Sequence, residues 1–470
     1  MDRIVVGVDI GTTKIACFIG KRGSSPNKVK ILGFGRCASN GVRYGVVENL
    51  HETSESIRKA IEEASEKANV TVEEVYIGVA GMHIHSYPME ANIAIPENEF
   101  QIISKEDIEH LTHTLRDTAT TQDGEEIIHI FPQSYSVDGQ ELSPDISPVG
   151  VCGKVLKGTF NVVTGNCKEI RKLINSVTMA GYKVKDVILE PVASAYAVLN
   201  ESDIRDGVAL VDIGGGTTDI AVLMDDNVRY TSVLAVAGKI ITNDISKECQ
   251  IVPKYAEKLK VQFGSCLPSA VDANTHISIP FSHGQPPREI NLRTLAEIIK
   301  PRVELIFDLV TSELVDSKYI GHLVNGIALT GGGANMANIQ EIAMMRTGVH
   351  CHIGRPSIHL EPIDDNKDHV LQMKTYDDTM YATSIGLVIY GLSQEEHDEA
   401  AKAKETAKTS GQQPAMEERP RETSTTTLDE ITPKAETAPS DEDKGNPKQG
   451  GFRKTFRDWI NKTFIAPMDE

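Results

Sequence analysis

Apolar residues fall in short runs broken by glycine, alternating with stretches of helical spacing. Residues 4–10, IVVGVDI, predict a buried strand that meets Gly11. The spacing over 52–68 predicts a helix, and EEVYIGVA at 73–80 a second strand. Between about 83 and 160 the pattern loosens, and no strand–helix–strand alternation is legible. It returns in TFNVVTG, CKEIRKLINSVTMAG, YKVKDVILE and PVASAYAVLN, which predict strand, helix, strand and helix. VALVD at 208–212 opens a further unit. Helix-like segments follow near 239–263 and 292–316, and IALTGGGAN predicts a closing strand over 327–333.

The two halves echo one another. DIGTTKIACF at 9–18 and DIGGGTTDIAVL at 212–223 each follow a strand, and both carry Asp-Ile-Gly with Thr-Thr. A repeat at that separation indicates a duplicated domain rather than a solenoid. The length of 470 residues agrees, because one core of ordinary size does not extend so far. Apolar residues at 40% with aromatics at 5% suit an α/β protein.

The net charge of −19 speaks against sequence-independent attraction to nucleic acid, and most of such a surface is repelled by an anionic membrane. Membrane contact then requires a basic segment of its own. Seven scattered cysteines form no CxxC pair, which argues against a disulfide framework or a zinc ribbon. His350-Cys351-His352 is a poor metal site, since neighbouring residues on a strand face opposite ways. No signal-peptide pattern opens the chain, and no apolar stretch approaches the roughly 18 residues that cross a bilayer. The expectation is a cytoplasmic protein.

Composition changes after Leu392. From Ser393 to Gly450 there is no Phe, Trp or Tyr, and charged and small polar residues dominate, which predicts a disordered linker. The last twenty residues, GFRKTFRDWINKTFIAPMDE, differ again. On a helix, Phe452, Phe456, Trp459, Ile460 and Phe464 share one face. Lys454 and Arg457 lie opposite, and Arg453 stands at the boundary. That pattern fits an interfacial membrane anchor with the chain's single tryptophan at headgroup level. Docking on the protein's own surface, or in a partner's groove, remains an alternative. A single anchor of this size binds weakly, so firm attachment requires several anchors held together by self-association.

In each half a strand delivers an aspartate, Asp9 or Asp212, and glycines then turn the chain. Such turns let backbone N–H groups approach an anion closely. An aspartate beside phosphates needs a cation between them, so Asp9 and Asp212 imply Mg²⁺, held through water. Each loop alone also reads as a plain tight hairpin, but two of them together with TGGGA at 330–334 favour a nucleotide site. Neither a GxxxxGK[ST] loop nor a well-placed GxGxxG is present.

This constellation resembles the actin/Hsp70/sugar-kinase ATPase superfamily, an α/β two-domain fold that closes over ATP. The resemblance implies a first phosphate hairpin at Gly11, Thr12 and Thr13 and a second at Gly214, Gly215, Gly216 and Thr217. It implies an adenosine turn at Gly331, Gly332 and Gly333. Gly238 matches the AGK stretch, and Glu257 and Lys260 resemble the ribose- and adenine-contacting pair. As residues alone, those two read equally as an exposed ion pair on one helix face. Glu190 resembles the acid near the γ-phosphate that positions water, though it reads equally as a cap on the helix that follows. Phosphoryl chemistry needs positioning and charge stabilisation above all, so the resemblance implies at most a slow ATPase.

With the irregular insertion, the linker and the terminal amphipathic helix, the chain resembles the FtsA family of bacterial cell-division proteins. The resemblance implies subdomain 1A at 1–82 and 163–205, an inserted subdomain 1C at 83–162, and domain 2 at 206–392 with subdomain 2B at about 240–310. The linker then spans 393–450 and the membrane helix 451–470. It further implies filaments, and an adaptor that holds the FtsZ C-terminal peptide and other division proteins at the cytoplasmic face of an anionic inner membrane, at the division site. Two departures stand out. Ala237-Gly238 replaces a commoner glycine pair, and Ala337 stands where glycine is frequent. The competing reading is a small-molecule kinase of the same superfamily, which leaves the tail unexplained. A chaperone ATPase lacks its substrate-binding β-domain here.

Overall fold

The computed structural model describes residues 3–25, 28–96, 101–143, 146–279, 287–361 and 375–409. In the first half, β1 (Ile4–Ile10) turns into β2 (Lys14–Arg22), which pairs antiparallel with β3 (Val29–Ala38). A two-residue pair follows, β4 (Val42–Arg43) with β5 (Val46–Val47). Helix α1 (Leu50–Ala68) begins where the Asn49 side chain accepts from the N–H groups of His51 and Glu52. It ends at Asn69, whose φ of 53° terminates the helical run. β6 (Glu74–Val79) then enters parallel to β1.

The stretch without legible periodicity is a domain of its own kind. It comprises β7 (Ile84–Ala94), α2 (Lys105–Thr118), β8 (Glu125–Val137), β9 (Gln140–Glu141) and β10 (Val155–Asn166). The sheet order is β7-β10-β8-β9, all antiparallel, and two register shifts interrupt the β8–β10 ladder. Bulges of this kind break the two-residue alternation that would announce a strand. Ile93, Leu111, Ile130, Leu156 and Phe160 form its separate core.

The chain returns through α3 (Cys167–Ala180) to β11 (Lys183–Leu189), completing a five-stranded sheet ordered β11-β6-β1-β2-β3. Helix α4 (Glu190–Val198) and the short α5 (Glu201–Asp206) lead into the second half. There β12 (Val208–Ile213), β13 (Thr218–Met224) and β14 (Asn227–Leu234) repeat the antiparallel meander. Helices α6 (Gly238–Glu248) and α7 (Pro253–Phe263) follow, then the hairpin β15 (His276–Ile279) with β16 (Arg288–Asn291), and α8 (Leu292–Asp316). β17 (Ile327–Thr330), α9 (Ile339–Thr347) and β18 (Cys351–Ile353) complete a sheet ordered β14-β13-β12-β17-β18.

The structure corrects three details. The helical pattern near 239–263 is two helices, because Gln250 adopts φ 50° and Pro253 starts a new one. The strand expected over 327–333 stops at Thr330, where Gly331 takes φ +83° and a 3₁₀ turn begins. The last helix, α10 (Ala382–Thr409), runs past Leu392, where composition places the start of the linker. Its continuation is rich in Glu, Ala and Lys, good helix formers with nothing apolar to bury, so the break marks the end of the core-facing stripe rather than of the helix. Ser393 is buried, and Glu395 pairs with Arg3 at 3.0 Å. The rest of the expected linker, 410–450, and the amphipathic segment 451–470 lie outside the described residues.

Helices α4 and α10 pack against one another between the halves, in a core that includes Val192, Ala193, Ile385, Val388 and Tyr390. They meet backbone to backbone. A Cβ on Gly386 would stand 1.7 Å from the Ala193 carbonyl oxygen, and α10 also lies close to β1, where a Cβ on Gly7 would stand 2.6 Å from the Ser384 carbonyl oxygen. The His350 and His352 rings stack on one side of β18 while Cys351 is buried on the other. All seven cysteines are free thiols.

Candidate functional site

Both repeated motifs become strand–turn–strand hairpins. In the first, Ile10 pairs with Ile15, and the Gly11 N–H donates to the Lys14 carbonyl at 3.1 Å. In the second, Ile213 pairs with Thr218, and the Gly214 N–H donates to the Thr217 carbonyl at 2.9 Å. The two turns abut across one cleft that both of them line. A Cβ on Gly215 would fall 2.4 Å from Thr13 Cγ2, and one on Gly216 2.4 Å from Thr12 Oγ1. Glycine is required at Gly331 twice over, by its positive φ and because a Cβ would stand 2.2 Å from Asp212 Oδ1.

Among the described residues, four carboxylates and one ammonium line this cleft. The Lys14 Nζ donates to Asp9 Oδ2 at 2.6 Å. Asp212 Oδ2 accepts from Ser194 Oγ at 2.7 Å and from Thr383 Oγ1 at 3.3 Å. Asp219 Oδ2 accepts from Thr217 Oγ1 at 3.0 Å, whereas its buried Oδ1 has no hydrogen-bond partner among the described residues. Glu190, the first residue of α4, lays its side chain over Gly78, where a Cβ would stand 2.8 Å from Glu190 Cγ.

Burial, then the charges of Asp9, Asp219 and Asp212, hold Glu190 well above the usual carboxylate range, with Lys14 opposing. Burial, reinforced by Asp212, does the same to Asp219 against the Thr217 hydrogen bond. Burial also raises Asp212, to about 6, although Ser194 favours its charged form. For Lys14, burial disfavours the ammonium, but its contact with Asp9 and the charge of Asp212 outweigh that and raise its pKa. Three acids crowded at low dielectric thus resist ionisation unless further positive charge arrives.

Of the residues singled out from sequence, Asp9, Gly11, Thr12, Thr13, Glu190, Asp212, Gly214, Gly215, Gly216, Thr217, Gly331 and Gly332 line the one cleft. Gly333 does not, and packs on Ile213 instead. Gly238, Glu257 and Lys260 form a second cluster behind the Gly214–Thr217 turn. The Gly238 N–H donates to the Gly214 carbonyl at 3.1 Å. Lys260 Nζ donates to the Gly238 carbonyl at 3.0 Å, to Thr242 Oγ1 at 2.9 Å and to Glu257 Oε2 at 2.9 Å. The Glu257–Lys260 pair is therefore not simply exposed, since the Lys260 side chain is only 11% accessible. The aromatic and basic residues expected to touch a membrane, Phe452 to Phe464, lie outside the described residues.

Sequence reasoning passed over Lys14, Gly45, Gly78, Ser194, Met380 and Thr383, and gave Asp219 no role. Lys14 directly follows the first glycine–threonine turn, and Asp219 closes the second motif, so both carried a signal. Ser194 and Thr383 sit on α4 and α10 at positions that nothing local distinguishes.

Residues 209–386 match the family model described as cell division protein FtsA, and residues 81–164 that of the SHS2 domain inserted in FtsA. The chain is 33% identical over 393 residues to the cell division protein FtsA of Pseudomonas aeruginosa, covering 84% of this chain and 90% of that one. It is 31% identical over 405 residues to the protein of the same name from Escherichia coli K12, covering 85% and 92%. Among solved structures it resembles the PilM–PilN type IV pilus biogenesis complex, with a TM-score of 0.58 at 15% identity over 83% of this chain and 98% of that one. It also resembles MreB 5 of Spiroplasma citri bound to AMPPNP, with a TM-score of 0.50 at 13% identity over 85% and 99%. At such identities these structures show the fold, that of the actin-like ATPases.

Proposed function

The chain belongs to the FtsA family of cell division proteins, and from that premise we propose that it is a nucleotide-dependent membrane adaptor of the division machinery. It binds ATP in the cleft, self-associates into filaments, and holds the C-terminal peptide of FtsZ at the cytoplasmic face of the inner membrane, where further division proteins gather. The observation that carries the nucleotide reading is the meeting of two glycine hairpins across one cleft, with Lys14 and four acids beneath them. The actin-like ATPase fold itself implies a nucleotide.

The donor set fits a magnesium ion held through water. Among the described residues, Asp9, Asp212, Asp219 and Glu190 face one ammonium, and Asp219 Oδ1 is buried without a hydrogen-bond partner. Asp9 and Asp212 would hold the ion, whose charge neutralises phosphate oxygens and the acids together. Gly11 to Thr13 and Gly214 to Thr217 present N–H and hydroxyl donors to phosphates, and Lys14 adds a cation. Glu190 lines the same cleft, where it orients water for at most slow hydrolysis. Gly238, Glu257 and Lys260 brace the second hairpin from behind and stand on the side of the nucleoside. The family assignment does not favour the small-molecule kinase.

The membrane half of the proposal rests on the pattern of residues 451–470. Vesicle co-sedimentation of the full chain against a 1–450 truncation, with and without Mg-ATP, tests both halves. We expect only the full chain to pellet, more with nucleotide, and Trp459→Glu to release it. Pelleting of the truncation would place the anchor elsewhere. Pelleting indifferent to nucleotide would separate the cleft from attachment.

A further inference from the structure

Strand β8 of the inserted domain reaches out of its own sheet at three alternate positions. His129 is 3% exposed, and its Nε2 accepts the Leu189 N–H at 3.0 Å. Phe131 is fully buried in the core shared by both halves, alongside Val198 and Val228. Gln133 Nε2 donates to the Val228 carbonyl at 2.9 Å, and Arg229 Nη1 donates back to the Gln133 carbonyl at 2.5 Å. One strand of the insertion therefore touches the end of β11 in the first half and β14 in the second.

The Leu189 peptide is a sensitive place for that contact. β11 is the edge of its sheet, and Leu189 is its last residue, immediately before Glu190. No side chain caps the start of α4. The His129 ring is thus the acceptor that orients the Ile188–Leu189 peptide, one residue before Glu190. Because a backbone N–H donates to Nε2, that nitrogen carries the lone pair. Burial, and then the charge of Arg116, push the imidazole down to about 3, so the acceptor persists at any neutral pH.

We propose that His129 is a positioning residue for Glu190, and that β8, gripping β14 through Gln133, carries movement between the two halves to that acid. The inference rests on the reading of the cleft as an ATP site. Glu190 lines that cleft, and the resemblance to the actin-like ATPases implies that it lies near the third phosphate that distinguishes ATP from ADP, so the insertion influences that distinction without touching the nucleotide.

The test uses the full-length chain with Mg²⁺ and compares affinities for ATP and ADP by calorimetry. His129→Phe keeps a ring but has no acceptor, whereas His129→Gln places an amide oxygen near the Nε2 position. We expect His129→Phe to lower the ATP-over-ADP preference about fivefold, the low end of coupling between sites, and His129→Gln to restore it. In a Glu190→Gln background His129→Phe should change nothing further, because the path runs through Glu190. An unchanged preference in His129→Phe, or an equal shift in both backgrounds, overturns the positioning role. Should His129→Phe fail to fold, Gln133→Ala, which leaves the acceptor in place, should lower the preference in the same direction, and no change there overturns the transmission. A wild-type chain that binds neither nucleotide refutes the reading of the cleft itself. Binding by the wild type without any response in the variants refutes only this inference.

Discussion

Asparagine in place of Asp212 removes a charge while nearly keeping the shape, and its amide oxygen still accepts from Ser194 and Thr383. Asp212 is raised from 3.8 to about 6 in the folded chain, so the native state binds its proton more tightly than the unfolded state does. Stability from this group is therefore complete below pH 3.8, falls as pH rises through about 6, and is level above that. Each pKa unit is worth about 1.36 kcal/mol, so the span amounts to about 3 kcal/mol lost by pH 8 and about half of that by pH 5. Asp212→Asn holds the neutral form at every pH and should recover that loss. We expect denaturant unfolding, followed by circular dichroism in EDTA without nucleotide, to show the variant more stable by about 3 kcal/mol at pH 8, with a smaller gain at pH 5. The same variant should bind Mg-ATP more weakly, the usual trade of stability against function at a charged site. A variant less stable than wild type at pH 8, or a gain that does not shrink on acidification, would show that the Asp212 charge is well accommodated and that the crowding of acids has been misread.

Two further outcomes follow from close backbone approaches. Gly331→Ala combines a positive φ with a Cβ 2.2 Å from Asp212 Oδ1, so it should lower stability by about 1–3 kcal/mol and displace Asp212. Thermal unfolding with and without Mg-ATP reads both effects, and full nucleotide stabilisation in the variant would count against the turn's place in the site. Gly386→Ala should force α4 and α10 apart at Ala193, at the upper end of about 1–3 kcal/mol, because backbone rather than a flexible side chain blocks the methyl. A melting temperature within a degree or two of wild type would mean that the crossing yields easily.

Much of the site was legible along the chain because its chemistry is local. A strand that ends in aspartate, a glycine turn and a return strand are set within about ten residues. Both hairpins and the duplicated plan therefore follow from DIGTTK and DIGGGTTD alone. The amphipathic pattern of the last twenty residues is equally a property of sequence, and the fold beneath it lies outside the described residues. What only the tertiary structure decided is which of these local pieces meet. The two hairpins, some two hundred residues apart, come into contact because Ala193 and Gly386 let α4 and α10 cross closely, a juxtaposition that no short window records. The same crossing brings Ser194 and Thr383 to Asp212, sets Lys14 among four acids, and raises Asp212 to about 6 by burial. The insertion was illegible because bulged antiparallel strands break the period of two, yet His129 at its base reaches the Ile188–Leu189 peptide, one residue before Glu190. Turns and faces are written residue by residue, whereas burial and charge crowding arise only once distant segments share one low-dielectric space.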